Sequence, residues 1–130
     1  SRIALSIKTV TANRDGSPAS MVFDEIDTGI GGRTAQMVAE RIAMVAAHRQ
    51  VLCITHLPQI ACMADTHLYI SKHVIDNQTS TVIHPLTTGE RVNEIARMAS
   101  GANVSSASLD NAREMIAYAG VKKEEYKKNG

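Results

Sequence analysis

Apolar positions recur along this chain with two different periods, separated by short polar punctuation. Ile3, Ile7 and Val10 stand at i, i+4 and i+7 with Arg2 and Lys8 on other faces, which predicts an opening half-buried helix. It would stop at Asn13-Arg14-Asp15-Gly16-Ser17-Pro18, where Gly, Asp and Pro supply turn geometry. Met21-Val22-Phe23 is a short apolar run that breaks off at Asp24-Glu25-Ile26-Asp27, the pattern of a strand buried on both faces with acids at its C-terminal end. After Gly29-Ile30-Gly31-Gly32, the residues Ala35, Val38, Ala39, Ile42, Val45 and Ala46 form a helical stripe, and Val51-Leu52-Cys53-Ile54 reads as a second buried strand. Strand, helix, strand in that order predicts a right-handed parallel crossover. Thr55-His56-Leu57-Pro58 ends the second strand, and a short helix is expected through Met63.

Further along, His67 to His73 and Thr79 to Pro85 flank Asp76-Asn77 and predict a hairpin of more exposed strands. Glu90 to Ser100 and Ser106 to Ala119 carry Val92, Ile95 and Ala99, then Leu109, Ala112 and Ile116, as two amphipathic helices would. Residues 121–130 are polar and are expected to form a solvated tail.

Composition narrows the classes of function. At 130 residues the chain suits one domain, and 14 Lys+Arg against 13 Asp+Glu leave a formal charge of +1, with no global basic field for nucleic acid. Aromatic residues are only 3%, so a base-stacking platform is not expected. Cys53 and Cys62 are not spaced as a CxxC pair, and no disulfide framework is indicated. No apolar run approaches the roughly 20 residues of a membrane span. With no signal-peptide pattern and no Met at Ser1, the expectation is a cytoplasmic fragment.

The acidic pair and the histidine are the candidate chemistry. Asp24-Glu25 after three apolar residues has the Walker B form, in which one carboxylate at a strand end holds Mg²⁺ and the next orients or deprotonates the attacking water. His56, 31 residues beyond Glu25, falls at the end of the next expected strand, where its imidazole would reach a terminal phosphate at the same sheet edge. An acidic pair capping a strand is common, and a lone loop histidine usually bonds a backbone carbonyl; the convergence of both at one edge favours the functional reading.

Residues 1–8 (SRIALSIK), 23–36 (FDEIDTGIGGRTAQ) and 50–61 (QVLCITHLPQIA), with Met63-Ala64-Asp65 and 90–98 (ERVNEIARM), closely resemble the C-terminal ATPase half of the RecN family. That family comprises bacterial double-strand-break repair proteins of the SMC-like, ABC-type ATPase group. The resemblance implies an α/β fold over residues 1–120, a P-loop NTPase-like C-terminal lobe of parallel strands with crossover helices, then a β-hairpin and two C-terminal helices within that span. It implies ATP and Mg²⁺ as cofactors, Asp24 as the magnesium carboxylate, Glu25 as the catalytic glutamate and His56 as the histidine that senses the γ-phosphate. The loop holding Asp27, Thr28, Gly29, Gly31 and Gly32 would match the D-loop beside a partner head's nucleotide, although many ABC proteins carry aspartate where this chain has Gly31. Gly29, Gly31 and Gly32 could alternatively shape an anion-binding nest or a plain flexible loop.

No GxxxxGK[ST] occurs: near Gly32-Arg33-Thr34, Asp27 stands where the first glycine belongs and Arg33 replaces lysine. The expected partners are therefore the N-terminal half of the same head, which carries Walker A, a second head in an ATP-bound dimer, and DNA through the full-length protein. A membrane is not expected as a partner, and the expected location is bacterial cytoplasm at the nucleoid. The chain alone is expected to be inactive. Two other readings are a DExD-box helicase core, disfavoured because Cys53-Ile54-Thr55-His56 replaces a Ser-Ala-Thr-like segment, and a non-catalytic dimerisation module. His48, His67, His73 and His84 show no ligand spacing and read as surface or hairpin residues, so zinc is not expected; Met37, Met44, Met63, Met98 and Met115 read as core filler.

Overall fold

A computed structural model describes residues 3–8, 20–24 and 32–128. The elements run β1 (Ile3–Lys8), β2 (Ser20–Asp24), α1 (Gly32–Ala46), β3 (Gln50–Thr55), α2 (Pro58–Ala61), β4 (Thr66–Ile75), β5 (Gln78–Pro85), α3 (Thr88–Ser100) and α4 (Ser106–Lys128). The five strands form one sheet in the order β2-β3-β1-β4-β5. Only β2 and β3 pair in parallel; β1 is antiparallel to both β3 and β4, and β4 is antiparallel to β5. The architecture is thus mixed helix and strand: β2 and β3 are the expected parallel pair joined by α1, and the sheet they belong to is otherwise antiparallel.

The opening helix expected from Ile3 and Ile7 is a strand, and it lies in the middle of the sheet. A spacing of four is even, so it places two residues on one face of a strand as well as of a helix. Leu5 between them completes a period of two, Ile3-Leu5-Ile7 against Ala4-Ser6-Lys8, and neighbours on both sides satisfy the backbone. The turn expected at residues 13–18 lies outside the described residues.

The core is built mainly from small side chains. Ala35, Ala39, Ala43 and Ala46 run down the buried side of α1. Ala39 and Ala43 join Cys53 of β3, Ile60 and Ala61 of α2, Ile95 and Ala96 of α3, and Ala112 and Ala119 of α4 in one cluster. Within β3, Val51, Cys53 and Thr55 are buried while Leu52 and Ile54 are half-buried, so this strand is covered more fully on one face. Met63 is buried and Met98 and Met115 are half-buried, but Met37 and Met44 stand on the outer side of α1 and are exposed, against the core expectation for both.

The hairpin is as the sequence predicts. Asp76 and Asn77 take φ of 52° and 62°, the left-handed pair that a two-residue turn matching strand twist requires. Helix α3 opens with a reciprocal cap, Thr87 Oγ1 accepting from the Glu90 amide and the Glu90 carboxylate accepting from the Thr87 amide, and stops at Gly101 with φ 80°. Helix α4 continues beyond Ala119 to Lys128, through residues expected to be a tail. Tyr126 packs against the core, Tyr118 donates to Glu40 of α1 at 3.1 Å, and Lys123 pairs with Asp65 at 3.1 Å. Side chains with apolar stems and polar tips let a polar-looking sequence line an inner face.

Candidate functional site

The site begins with the one parallel strand pair. Ser20 stands opposite Gln50 and Asp24 opposite Ile54, so β2 and β3 end together at one edge of the sheet. Two residues beyond Ile54, His56 is exposed at that edge. The expected convergence of the acidic strand end with the histidine is therefore present at the level of the backbone. Glu25, Asp27, Thr28, Gly29 and Gly31 lie outside the described residues. Gly32 is the first residue of α1, with its backbone exposed beside α2.

The turn carrying His56 is fixed locally. Buried Thr55 accepts the Leu57 amide on its hydroxyl at 3.0 Å, and Leu57 with ψ 125° leads into Pro58 at the start of α2. Proline suits that first helical position because its missing N–H would have no partner there. One helical turn later the Cys62 thiol donates to the Gln59 carbonyl at 3.2 Å. Burial pushes this thiol up to about 11, with Arg91 and Lys123 opposing, so Cys62 stays protonated and is a packing residue near neutral pH. Both cysteines are buried and outside any disulfide.

The segment after α2 is held from behind by the last two helices. Arg91 of α3 donates to the carbonyls of Cys62 at 2.7 Å and Ala64 at 2.8 Å. Lys123 of α4 donates to Ala64 O and to the Asp65 carboxylate, both at 3.1 Å. Two cations thus satisfy backbone carbonyls of the turn that follows α2. The expected solvated tail at residues 121–130 thus contains one of these anchors, Lys123, whose partner Ala64 is 59 residues away, and Arg91 reaches Ala64 across 27 residues.

His67 is the clearest departure from the expected surface histidines. It is 2% exposed, and neither ring nitrogen has a hydrogen-bond partner. Burial, with the nearby Arg91 cation adding to it and Glu94 opposing, lowers its pKa to about 4, so the ring is neutral in the fold at pH 7. Its neighbours Leu68, Tyr69 and Ile70 are half-buried, and Arg91 and Glu94 of α3 are near enough to act on the ring. His48, His73 and His84 are exposed, as expected; His84 leans against Tyr69 with ring centres 5.5 Å apart. Among the described residues no group of three or more His, Cys, Asp or Glu side chains converges as a metal site would, and no helix is long and apolar enough to cross a membrane.

Comparison with known proteins gives the class and then the family. No family model matches the chain. Its relatives among curated proteins are DNA repair proteins of bacteria. The chain is 47% identical over 119 residues to DNA repair protein RecN of Bacillus subtilis, covering 92% of this chain and 20% of that protein. It is 47% identical over 117 residues to RecN of Deinococcus radiodurans and 39% over 116 residues to RecN of Haemophilus influenzae, in each case about 90% of this chain and about a fifth of the relative. Across that stretch the chain belongs to the RecN family, and it spans about a fifth of the length of the relatives it matches.

Proposed function

We propose that this stretch supplies the Walker B carboxylates, the D-loop and the sensing histidine of an ATP-hydrolysing head in a DNA repair protein that acts on double-strand breaks. The supporting observation is the β2–β3 register, which ends the Asp24 strand opposite Ile54 with His56 two residues beyond at the same edge. In this reading the fold is one lobe of a P-loop NTPase head, and the RecN relatives, named for DNA repair, support the biological role.

The residues fit part of a nucleotide site. A parallel strand pair ending at a helix start is where α/β proteins gather phosphate-handling groups, and a glycine loop leads into that helix, α1. The Gln59 side-chain amide, whose Oε1 is buried without a hydrogen-bond partner, has its Nε2 beside the same helix start. Asp24 would hold Mg²⁺, Glu25 would orient the attacking water and accept its proton, and His56 would hydrogen-bond the terminal phosphate. Asp27, Thr28, Gly29, Gly31 and Gly32 would form the loop facing a second head. When bound, MgATP supplies a phosphoryl group ready for transfer to water. The phosphate-cradling GxxxxGK[ST] run is not in this sequence, so the N-terminal half of the head would provide it and the full-length protein would carry the DNA contacts. The place of action in this reading is the bacterial cytoplasm at the nucleoid. No specific observation favours the helicase or dimerisation-module readings.

The test uses the full-length protein and single-turnover hydrolysis alongside nucleotide affinity. Glu25→Gln should retain ATP binding, because the amide fills the same volume and spares the metal carboxylate, while turnover falls ~10²–10⁴-fold. Asp24→Asn should weaken Mg-dependent binding as well, and His56→Ala should bind ATP yet convert it poorly. Wild-type turnover in Glu25→Gln would remove the catalytic assignment.

A further inference from the structure

A cavity of about 270 Å³ lies where β4 begins, between that strand, α3 and α4, away from the β2–β3 edge. It is lined by Asp65, Thr66 and His67 from the strand side, Thr88 and Arg91 from α3, and Ile116 from α4. Three polar atoms of this lining are buried without a hydrogen-bond partner: both ring nitrogens of His67, a residue only 2% exposed, and Nε of Arg91. Thr66 and Thr88 are exposed, which places their hydroxyls at the mouth. A polar group buried without a partner is costly, and several around one cavity mark a place that a polar ligand would satisfy.

The chemistry of the lining selects the ligand. Arginine Nε carries a hydrogen at any accessible pH and a neutral imidazole carries one N–H, so the orphaned atoms include two donors. The surroundings are positive. Arg91 Nη2 donates only to neutral groups, the carbonyls of Cys62 and Ala64, while the Asp65 carboxylate is engaged by Lys123 at 3.1 Å and Glu94 by Arg97 at 3.0 Å. Of the two α3 charges that act on the ring, the Arg91 cation outweighs the Glu94 carboxylate. A cavity of 270 Å³ is smaller than the ~300–1,000 Å³ clefts that take drug-sized ligands, yet several times the ~30 Å³ of one water. We propose that this cavity is a binding site for a small free tetrahedral oxyanion of the phosphate class, held by Arg91 Nε–H and a His67 ring nitrogen, with the Thr66 and Thr88 hydroxyls at its entrance. Water would accept the same hydrogen bonds, but it brings no charge to set against the guanidinium, whereas hydrogen bonds between ions of opposite sign are the stronger kind. The ATPase reading is not needed for this site, whose residues all lie outside the acidic strand end and the His56 turn.

The experiment is calorimetric titration of the full-length protein with inorganic phosphate, a saturating non-hydrolysable ATP analogue being present throughout so that any nucleotide site is occupied. Wild type should bind phosphate saturably. His67→Leu should weaken that binding at least about tenfold, the loss of one hydrogen bond to a charged group. Arg91→Lys, which keeps the charge but not the Nε–H, should do the same. His67→Gln retains a donor and an acceptor and should stay within about threefold of wild type, a rescue that a purely structural role for the ring would not produce. Near-ultraviolet circular dichroism establishes that each variant is folded. Acetate, a planar anion, should bind at least about tenfold more weakly than phosphate, since its two oxygens cannot reach the arginine, the histidine and the entrance together. No saturable binding by wild type, or equal phosphate affinity in wild type and folded His67→Leu, would overturn the site; acetate binding as tight as phosphate would overturn the tetrahedral assignment.

Discussion

Replacing His67 with leucine should make the chain more stable, and more so as the solution is acidified. At 2% exposure, with both ring nitrogens lacking a partner, the imidazole is a neutral polar ring buried on β4 near the Arg91 and Glu94 charges of α3. Leucine has nearly the same volume, so the substitution removes the desolvation cost without opening a cavity; at pH 7 the gain should be about 1–2 kcal/mol. The pH dependence follows from linkage. The pKa is about 4 in the fold against an ordinary 6.5, so between those values the unfolded chain binds a proton that the folded chain does not. The histidine's contribution is complete above pH 6.5 and is lost as pH falls to about 4, by about 3 kcal/mol over the window. Arg91 and Glu94, both on α3, are the charged groups acting on the ring; Arg91 disfavours the imidazolium and Glu94 favours it, with burial the larger effect. Urea unfolding followed by far-ultraviolet circular dichroism at pH 7, 5.5 and 4.5 measures the difference. The variant should lead wild type by a margin that widens toward low pH. A His67→Leu chain less stable than wild type at pH 7, with the same pH slope, would show that the ring is hydrogen-bonded or charged in the fold and refute the reasoning.

Other outcomes test different parts of the structure. Ile95 is fully buried in the cluster joining α3 to the other helices, so Ile95→Ala should cost about 2–5 kcal/mol in the same urea assay, and a loss under about 1 kcal/mol would mean that the cluster is not closely packed. Calorimetric titration of the 130-residue chain with MgATP should show no tight binding, because the loop donors and lysine of a GxxxxGK[ST] run are not in its sequence; micromolar affinity would contradict the division of the site between two halves of a head.

Where a sequence pattern admitted one reading, the structure follows it. The turn at Asp76-Asn77 needed two left-handed residues, and both types tolerate that conformation. The apolar runs before Asp24 and before His56 needed burial, and they became adjacent parallel strands ending at one edge. Patterns that served two periods were misleading. Ile3 and Ile7 share a face in helix and strand alike, and sheet pairing on both sides, which no local pattern encodes, decided for strand. His67, without ligand spacing, reads as a surface or hairpin residue, while the α3 residues near it, Arg91 and Glu94, come more than 20 positions later. The polar run after Ala119 looked like a tail because Lys123 and Tyr126 show their buried role only when Asp65 and the core are beside them.

The Ala64 carbonyl, which accepts from both Arg91 and Lys123, sets an order of events for a chain emerging from the ribosome. Synthesis of β3 delivers His56 early, but the braces for the backbone that follows it are encoded far downstream, the second of them 59 residues after Ala64. With peptide bonds formed at roughly 5–20 per second, several seconds separate the appearance of Ala64 from that of its last anchor. Thr55 and Pro58, which define the turn itself, and Arg91, the first of the braces, are in place before that last anchor. A nascent protein halted before Lys123 would therefore display the histidine on a support that lacks its α4 brace.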